Sequence, residues 1–227
     1  MTNSIDFTFI RRCLALNNWD ELDAYSAIKD EIEKRKKKTF SSFLKNLEEF
    51  GEEFFIFGLD FSNVVTIGIQ MNLFNKIGYK KLYVYIYVIV NLMMNELIKN
   101  LEIDYKLNFM VDFCAADFTM DPINELITMN KGSFPGFLKN VYVVNSEEDD
   151  VKNHIGLQDT WQDRRFYPRK LQEQVYVFKN DFEPDLFKEI QKSTVNEMYG
   201  GDLEDNMFDI NPLVYEYAQN LEKLIIL

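Results

Sequence analysis

Short apolar runs of the strand type alternate with helical segments over most of this chain. Five such runs are Phe54–Gly58, Val64–Ile69, Leu107–Phe113, Val141–Asn145 and Val175–Phe178. Apolar residues at helical spacing occupy about 80–101 and about 122–130 between them, with Asp121 placed to cap the second helix. Buried strands joined through a helix imply right-handed crossovers and parallel pairing. The pattern therefore predicts an α/β fold with a largely parallel sheet.

The N-terminal part of the chain shows helical spacing only. An apolar stripe from Phe7 and a capping residue at Asp20, ahead of Leu22 and Tyr25, predict two helices there. We expect a small helical domain over residues 1–50 and an α/β lobe over residues 51–227 that closes with a helix over 213–227. The charged run Glu31–Lys38 is more typical of a solvated helix end than of a basic membrane-facing patch.

Composition excludes several classes of function. Lys and Arg total 25 against 37 for Asp and Glu, and a net charge of −12 argues against general nucleic-acid binding. His154 is the only histidine, so no metal site with two His ligands can form, and no metal is expected. Cys13 and Cys114 predict no disulfide framework, which is typical of a cytoplasmic protein.

The sequence offers little support for an enzyme or for a membrane span. Cys114 with His154 as base is the one nucleophilic arrangement available, and it lacks glycine-rich surroundings, so no enzymatic activity and no cofactor are expected. The most apolar stretch, Leu82–Met94, is well short of the roughly 20 residues that a spanning helix needs, and it predicts a buried core helix. The N-terminus does not have the pattern of a signal peptide.

Four motifs then occur in a characteristic order. Ile10–Leu14 precedes Trp19-Asp, Met110–Cys114 ends a predicted strand, Ser133–Asn145 contains Phe-Pro and a strand-end Asn, and Met198–Gly201 reads Met-Tyr-Gly-Gly. In this order they resemble the conserved segments of the Sec14-like, or CRAL-TRIO, lipid-binding domains. The proline of that family's closing "LP-x-x-YGG" motif is missing here.

The resemblance implies an N-terminal helical bundle beside a lobe whose mixed, mostly parallel sheet floors an apolar cavity. In this family the cavity holds one lipid behind a helical gate, and the expected cargo here is phosphatidylinositol or phosphatidylcholine. Sheltering roughly thirty methylenes, at about 0.8 kcal/mol each, demands a chamber almost as apolar as a bilayer. The residues expected to face the lipid tails are Ile67, Phe109, Val111, Phe113 and Val143.

The resemblance also implies a head-group site. In phosphatidylinositol-transferring members an acidic residue ten positions before the motif proline binds the inositol, and that position is Glu125. The alternative for Glu125 is an ordinary glutamate on the face of a helix. Lys152 or Arg164 would supply positive charge from the gate, residues 146–174, but this segment is charged where the family's gate is apolar. Lipid specificity is therefore left open.

The same segment offers a membrane-docking surface. Arg165, Arg169 and Lys170 surround Phe166 and Tyr167, a composition that suits transient contact with a bilayer. A solvated loop that balances the nearby acids is the alternative. The sequence thus predicts a monomeric, cytoplasmic lipid-binding or lipid-transfer protein. A lipid-free interaction module of the same fold, which binds a protein such as a small GTPase, is the rival interpretation. The acidic balance and the charged gate favour the rival, whereas the helical front end and Glu125 favour the lipid carrier.

Overall fold

The structure, a computed structural model, describes most of the sheet, the helical front end and the segment that follows the last strand. The described residues are 7–35, 54–71, 86–90, 92–93, 106–114, 116–117, 119, 121–131, 136–146, 175–178 and 181–204. All but the first residue of the predicted gate and the whole predicted C-terminal helix over 213–227 lie outside these ranges.

The front end is a pair of helices, α1 (Phe7–Leu16) and α2 (Glu21–Arg35). Asp20 caps α2 as predicted, because its Oδ1 accepts the backbone N–H groups of Leu22 and Asp23 at 2.9 and 3.1 Å. Cys13 and Ala24, both small, are buried among the described side chains of this pair. Leu22 and Tyr25, part of the predicted apolar stripe, are exposed. The domain boundary at residue 50 stays a prediction.

Five strands form one sheet in the order in which they occur along the chain. They are β1 (Phe54–Leu59), β2 (Val65–Gln70), β3 (Leu107–Asp112), β4 (Leu138–Val144) and β5 (Val175–Val177). β1 pairs with β2 antiparallel, whereas the β2–β3, β3–β4 and β4–β5 pairs are parallel. The predicted α/β fold with a mixed, mostly parallel sheet is confirmed.

The predicted bounds of two elements differ from the observed ones. β4 begins at Leu138, ahead of the predicted Val141, because an irregularity in its pairing with β3 accommodates the polar residues Lys139 and Asn140 within the strand. Helix α3 spans Asp121–Lys131, so Asp121 is its first residue rather than a residue ahead of it. The hydroxyl of Thr119 accepts the N–H of Asp121 at 3.3 Å.

The sheet has two faces of different composition, because successive residues of a strand point to opposite sides. One face, which we call the closing face, packs against the segment after β5: its Phe55, Met110, Tyr142 and Val144 form one core with the residues that follow. Those residues are Phe182, Leu186, Ile190, Val195 and Tyr199. The segment that carries them contains a short helix, α4 (Glu183–Leu186), and two 3₁₀ turns at Lys192–Thr194 and Glu197–Tyr199.

The opposite face, which we call the crossover face, is the side on which the described β3–β4 connection packs. A right-handed crossover between neighbouring parallel strands places its helix against one face of the sheet. Helix α3 contacts β4, and the Phe137 ring before β4 packs edge-on against Phe109 with ring centroids 6.0 Å apart. The helical segment 86–90 in the β2–β3 connection is fully buried, in agreement with the predicted core helix. No helix in the described ranges combines the length and apolarity of a membrane span.

Candidate functional site

At the paired positions of β2, β3 and β4 the crossover face carries only apolar side chains. Register pairs Ile67 with Phe109 and Ile69 with Val111, and the same side continues into Val141 and Val143. All six of these side chains are 0% exposed. The crossover face therefore forms a continuous apolar floor over β2, β3 and β4.

The five predicted tail-facing residues come together on this floor. Ile67, Phe109, Val111 and Val143 lie on the crossover face, and Phe113 follows β3 with the same alternation. Phe113 is 1% exposed, and its N–H donates to the carbonyl oxygen of Val144 at 3.1 Å. The structure thus places all five on one side of the sheet, and their contact with a lipid stays a prediction.

The polar residues of the same strands lie on the closing face. Thr66 pairs with Asn108 and Gln70 pairs with Asp112, each pair on the side opposite to the apolar floor. Thr66, Asn108 and Asp112 are buried and Gln70 is partly buried. Polar groups are thus confined to one side of β2 and β3, and the other side is left free of them.

Glu125 lies on α3, in the connection between β3 and β4. Ile123, Leu126 and Ile127 are buried on this helix, Thr128 is exposed, and Glu125 is half-buried at the boundary. The end of α3 is tied to the sheet because the side-chain oxygen of Asn130 accepts the N–H of Leu138 at 2.9 Å. A half-buried carboxylate on a helix fixed to the sheet is in a position from which it could bind a polar group at the margin of an apolar site.

The remaining predicted site residues lie outside the described part of the chain. These are the head-group cations and the membrane-docking cations: Lys152, Arg164, Arg165, Arg169 and Lys170. Their roles stay predictions. Within the described ranges, no group of three or more His, Cys, Asp or Glu side chains is placed to hold a metal ion.

A buried polar cluster, which we call the edge network, occupies the carboxyl ends of the parallel strands. Oδ2 of Asp112, at the end of β3, accepts the hydroxyl of Tyr199 at 2.8 Å, and its Oδ1 accepts Nδ2 of Asn145 at 2.8 Å and the N–H of Cys114 at 2.9 Å. Gln70, at the end of β2, donates from Nε2 to the Tyr199 hydroxyl at 3.0 Å. The network joins the ends of three strands to the closing segment.

The Tyr199 hydroxyl is neutral in this network. Burial raises its pKa well above the ordinary value of a phenol, and the neighbouring charge of Asp112 raises it further. A neutral hydroxyl donates one hydrogen bond and accepts others, so Tyr199 can bind Asp112 and Gln70 at once. The arrangement is suited to holding a structure together and not to proton transfer near neutral pH.

Three residues of the edge network belong to motifs that carried the family resemblance. Asp112, Asn145 and Tyr199 lie in three separate motifs, and sequence reasoning assigned none of them a role. Gln70 was missed altogether. The available signal was the alternation of Thr66, Gly68 and Gln70 at the end of an apolar run, since the ends of parallel strands meet at one edge of the sheet.

The two glycines after Tyr199 are required by the geometry of the closing segment. Gly200 has φ of 76°, in the left-handed region that glycine adopts readily. A Cβ on Gly201 would lie 1.9 Å from the carbonyl oxygen of Val195. The Tyr-Gly-Gly motif therefore combines an anchoring hydroxyl with a turn that only glycine permits.

A second polar cluster, the Asp60 site, lies at the opposite edge of the sheet. Oδ2 of Asp60 accepts Nζ of Lys139 at 2.5 Å and Nδ2 of Asn108 at 3.1 Å, and its carbonyl oxygen accepts Nε2 of Gln191 at 2.6 Å. Burial acts to raise the pKa of Asp60, but the hydrogen bonds from Lys139, Val64 and Asn108 outweigh it and hold the pKa below the ordinary value. This site was not foreseen from the sequence.

The strand order, the crossover helix α3, the helical front end and the Tyr-Gly-Gly closure define a Sec14-like fold, as predicted. Among solved structures 45 chains match. One of them, the crystal structure of Sfh5, aligns over 99% of this chain and 84% of its own length, with a TM-score of 0.58 and 15% sequence identity. No family model matches the sequence, and no curated protein does. At this identity the likeness establishes the fold and leaves activity to physical argument.

Proposed function

We propose that this chain is a lipid-binding protein that shelters the tails of one phospholipid against the crossover face of its sheet. The observation that carries the proposal is the unbroken apolar floor of β2, β3 and β4 in a Sec14-like fold. The expected cargo class is phosphatidylinositol or phosphatidylcholine. The predicted gate, residues 146–174, lies between β4 and β5 in the sequence, and its role in covering a lipid is part of the proposal.

The separation of polar from apolar residues supports this function energetically. An alkyl chain cannot satisfy a hydroxyl, an amide or a carboxylate, and each polar group left without a hydrogen bond in such a place costs about 1–3 kcal/mol. Thr66, Asn108 and Asp112 all lie on the closing face, away from the proposed tails. A floor of this composition presents lipid tails with nothing but hydrocarbon and aromatic surface.

Lipid occupancy can be measured directly. All six side chains of the floor are 0% exposed, so protein atoms cover the floor in this structure and a lipid has to displace them to reach it. Native mass spectrometry of the purified protein shows whether a lipid does so. We expect a population heavier by the mass of one phospholipid, and organic extraction should recover that lipid. Protein that stays lipid-free after incubation with phosphatidylinositol and phosphatidylcholine vesicles would contradict the proposal and favour the interaction module.

The proposed head-group role of Glu125 has its own test. Glu125→Ala removes a half-buried carboxylate that could accept inositol hydroxyl groups, so transfer of phosphatidylinositol between vesicles should fall by about tenfold while phosphatidylcholine transfer is nearly unchanged. Thr128→Ala, an exposed position on the same helix, serves as the control. Equal loss for both lipids, or no loss for either, would exclude this role for Glu125.

A further inference from the structure

The helical front end exposes three large apolar side chains close together in the chain. Trp19 is 62% exposed, Leu22 is 80% exposed and Tyr25 is 65% exposed. Leu22 and Tyr25 lie one turn apart on α2, and Trp19 immediately precedes the capping residue Asp20. We call these three residues the hairpin patch. Their exposure contrasts with that of Cys13 and Ala24, which are buried.

The turn that presents Trp19 is fixed by hydrogen bonds. Trp19 N donates to the carbonyl oxygen of Leu14 at 2.7 Å, and Asp20 N donates to that of Asn17 at 3.0 Å. Asn18 and Trp19 both adopt positive φ, at 54° and 66°, a conformation that is unusual for a residue as bulky as Trp. A well-bonded turn therefore holds an indole ring out of the core of the helix pair at some cost in backbone energy.

The charge around the hairpin patch is negative. Asp20, Glu21 and Asp23 are all exposed, and residues 13–28 contain no Lys or Arg. The nearest base along α2 is Lys29, one turn beyond Tyr25. An anionic bilayer would be repelled by this rim, and a second copy would bring two acidic rims together. The complementary surface is apolar at its centre and carries Lys or Arg at its border.

We propose that the hairpin patch binds a cationic amphipathic helix of a partner protein. The apolar face of such a helix would cover Trp19, Leu22 and Tyr25, and its Lys or Arg side chains would meet the three acids. This surface lies on the helical front end, and the proposal does not depend on whether the sheet binds lipid.

The indole of Trp19 gives a direct measurement. The chain has 2 Trp residues, so Trp161→Phe leaves Trp19 as the only indole. Titration with a synthetic amphipathic helix made of Leu and Lys should shift the Trp19 emission to the blue and saturate. The same helix made of Leu and Glu should produce no shift. Leu22→Ser with Tyr25→Ser should weaken binding by about tenfold or more, and Glu21→Gln with Asp23→Asn should weaken it and reduce its salt dependence.

Phe61→Ser provides the matched control, because Phe61 is also 65% exposed but lies in the β1–β2 turn. It should leave the affinity unchanged. The proposal is overturned by equal binding of the Lys and Glu helices, by an absent shift, or by an affinity that Leu22→Ser with Tyr25→Ser does not change. Association with phosphatidylserine vesicles, or dimerisation lost in the same double variant, would assign the patch to a membrane or to a second copy instead.

Discussion

A single hydroxyl group links the closing segment of this fold to two strands of the sheet. The Tyr199 oxygen donates to Asp112 and accepts from Gln70, and the Tyr199 ring stacks on Phe55 with ring centroids 5.7 Å apart. Phe55 in turn covers Gly68, where a Cβ would lie 2.4 Å from its ring. One aromatic residue therefore supplies both the polar and the apolar contact at this edge.

Tyr199→Phe tests the polar half of that contact. The variant keeps the ring but leaves the Gln70 amide without its acceptor and a buried Asp112 oxygen without its donor, so the free energy of unfolding should fall by about 1–3 kcal/mol. Urea denaturation measures this change. Tyr25→Phe alters an exposed hydroxyl and should stay within about 0.5 kcal/mol of the parent. A loss of the same size in both variants would rule out the proposed bridging role.

Alanine substitutions at two described glycines distinguish the cost of a steric collision from the cost of an unfavourable backbone conformation. Gly201→Ala should destabilise by about 3 kcal/mol or more, because its Cβ would collide with the backbone of Val195. Gly136 has φ of 72° but nothing within 4 Å of an added Cβ, so Gly136→Ala should cost only about 1 kcal/mol. Thermal or urea unfolding gives both values. If Gly201→Ala and Gly136→Ala lose the same free energy of unfolding, the predicted collision with the Val195 backbone does not occur.

At the level of elements, the closing segment is fastened at both edges of the sheet. The edge network holds its Tyr199 end, and the Asp60 site holds its middle through Gln191, whose backbone N–H also donates to the carbonyl oxygen of Leu59 at 2.8 Å. Apolar residues on both sides of Gln191 pack on the closing face. The segment therefore acts as a strap over one side of the sheet and leaves the other side to the crossovers.

The Asp60 site makes the strap sensitive to acid. The pKa of Asp60 is lowered in the folded state from an ordinary value of 3.8, so its ionised form stabilises the fold above that pH, and this contribution is lost as the pH falls through the folded-state pKa. Lys139→Met removes a hydrogen-bond donor and positive charge from Asp60, so burial should then raise the pKa of Asp60. The acid unfolding midpoint should therefore move to higher pH, as followed by circular dichroism.

A surface ion pair on the closing segment provides the control for this prediction. Lys188 pairs with Asp185 with side chains 71% and 65% exposed, and such pairs contribute little to stability. Lys188→Met should leave the acid midpoint where it is. Equal midpoints for Lys139→Met and the parent protein would show that the Asp60 site does not stabilise the fold through its charge.

The elements themselves could be read from sequence, whereas their side-chain partners could not. Apolar runs such as Val64–Ile69 located every observed strand, because burial on both faces selects continuous β-branched and aromatic residues. The start of β4 was hidden by Lys139 and Asn140, which are accommodated by a pairing irregularity and by their partners, Asp60 just after β1 for Lys139 and the Tyr142 hydroxyl for Asn140. Contacts such as Gln70 with Tyr199 depend on register and on residues far apart in the chain, which local patterns do not specify.

For the molecule as a whole, the proposed function assigns different tasks to the two faces of one sheet. The closing face meets the strap and carries the polar residues of β2 and β3, and the crossover face is apolar at the paired positions of β2, β3 and β4. If lipid tails lie on the crossover face, a polar atom introduced there should weaken lipid binding as well as stability. The same atom introduced on the closing face should lower stability alone.

Val143 and Val144 allow this comparison at neighbouring positions, because both are 0% exposed and they point to opposite faces. Val→Thr is nearly isosteric, and each substitution buries a hydroxyl at a cost of about 1–3 kcal/mol in stability. Val143→Thr should lower the lipid-loaded fraction seen by native mass spectrometry, since tails would contact the hydroxyl. Val144→Thr should be destabilised by a similar amount, but its lipid-loaded fraction should not change. A lipid-loaded fraction that responds equally to both substitutions would place the chamber elsewhere than on the crossover face.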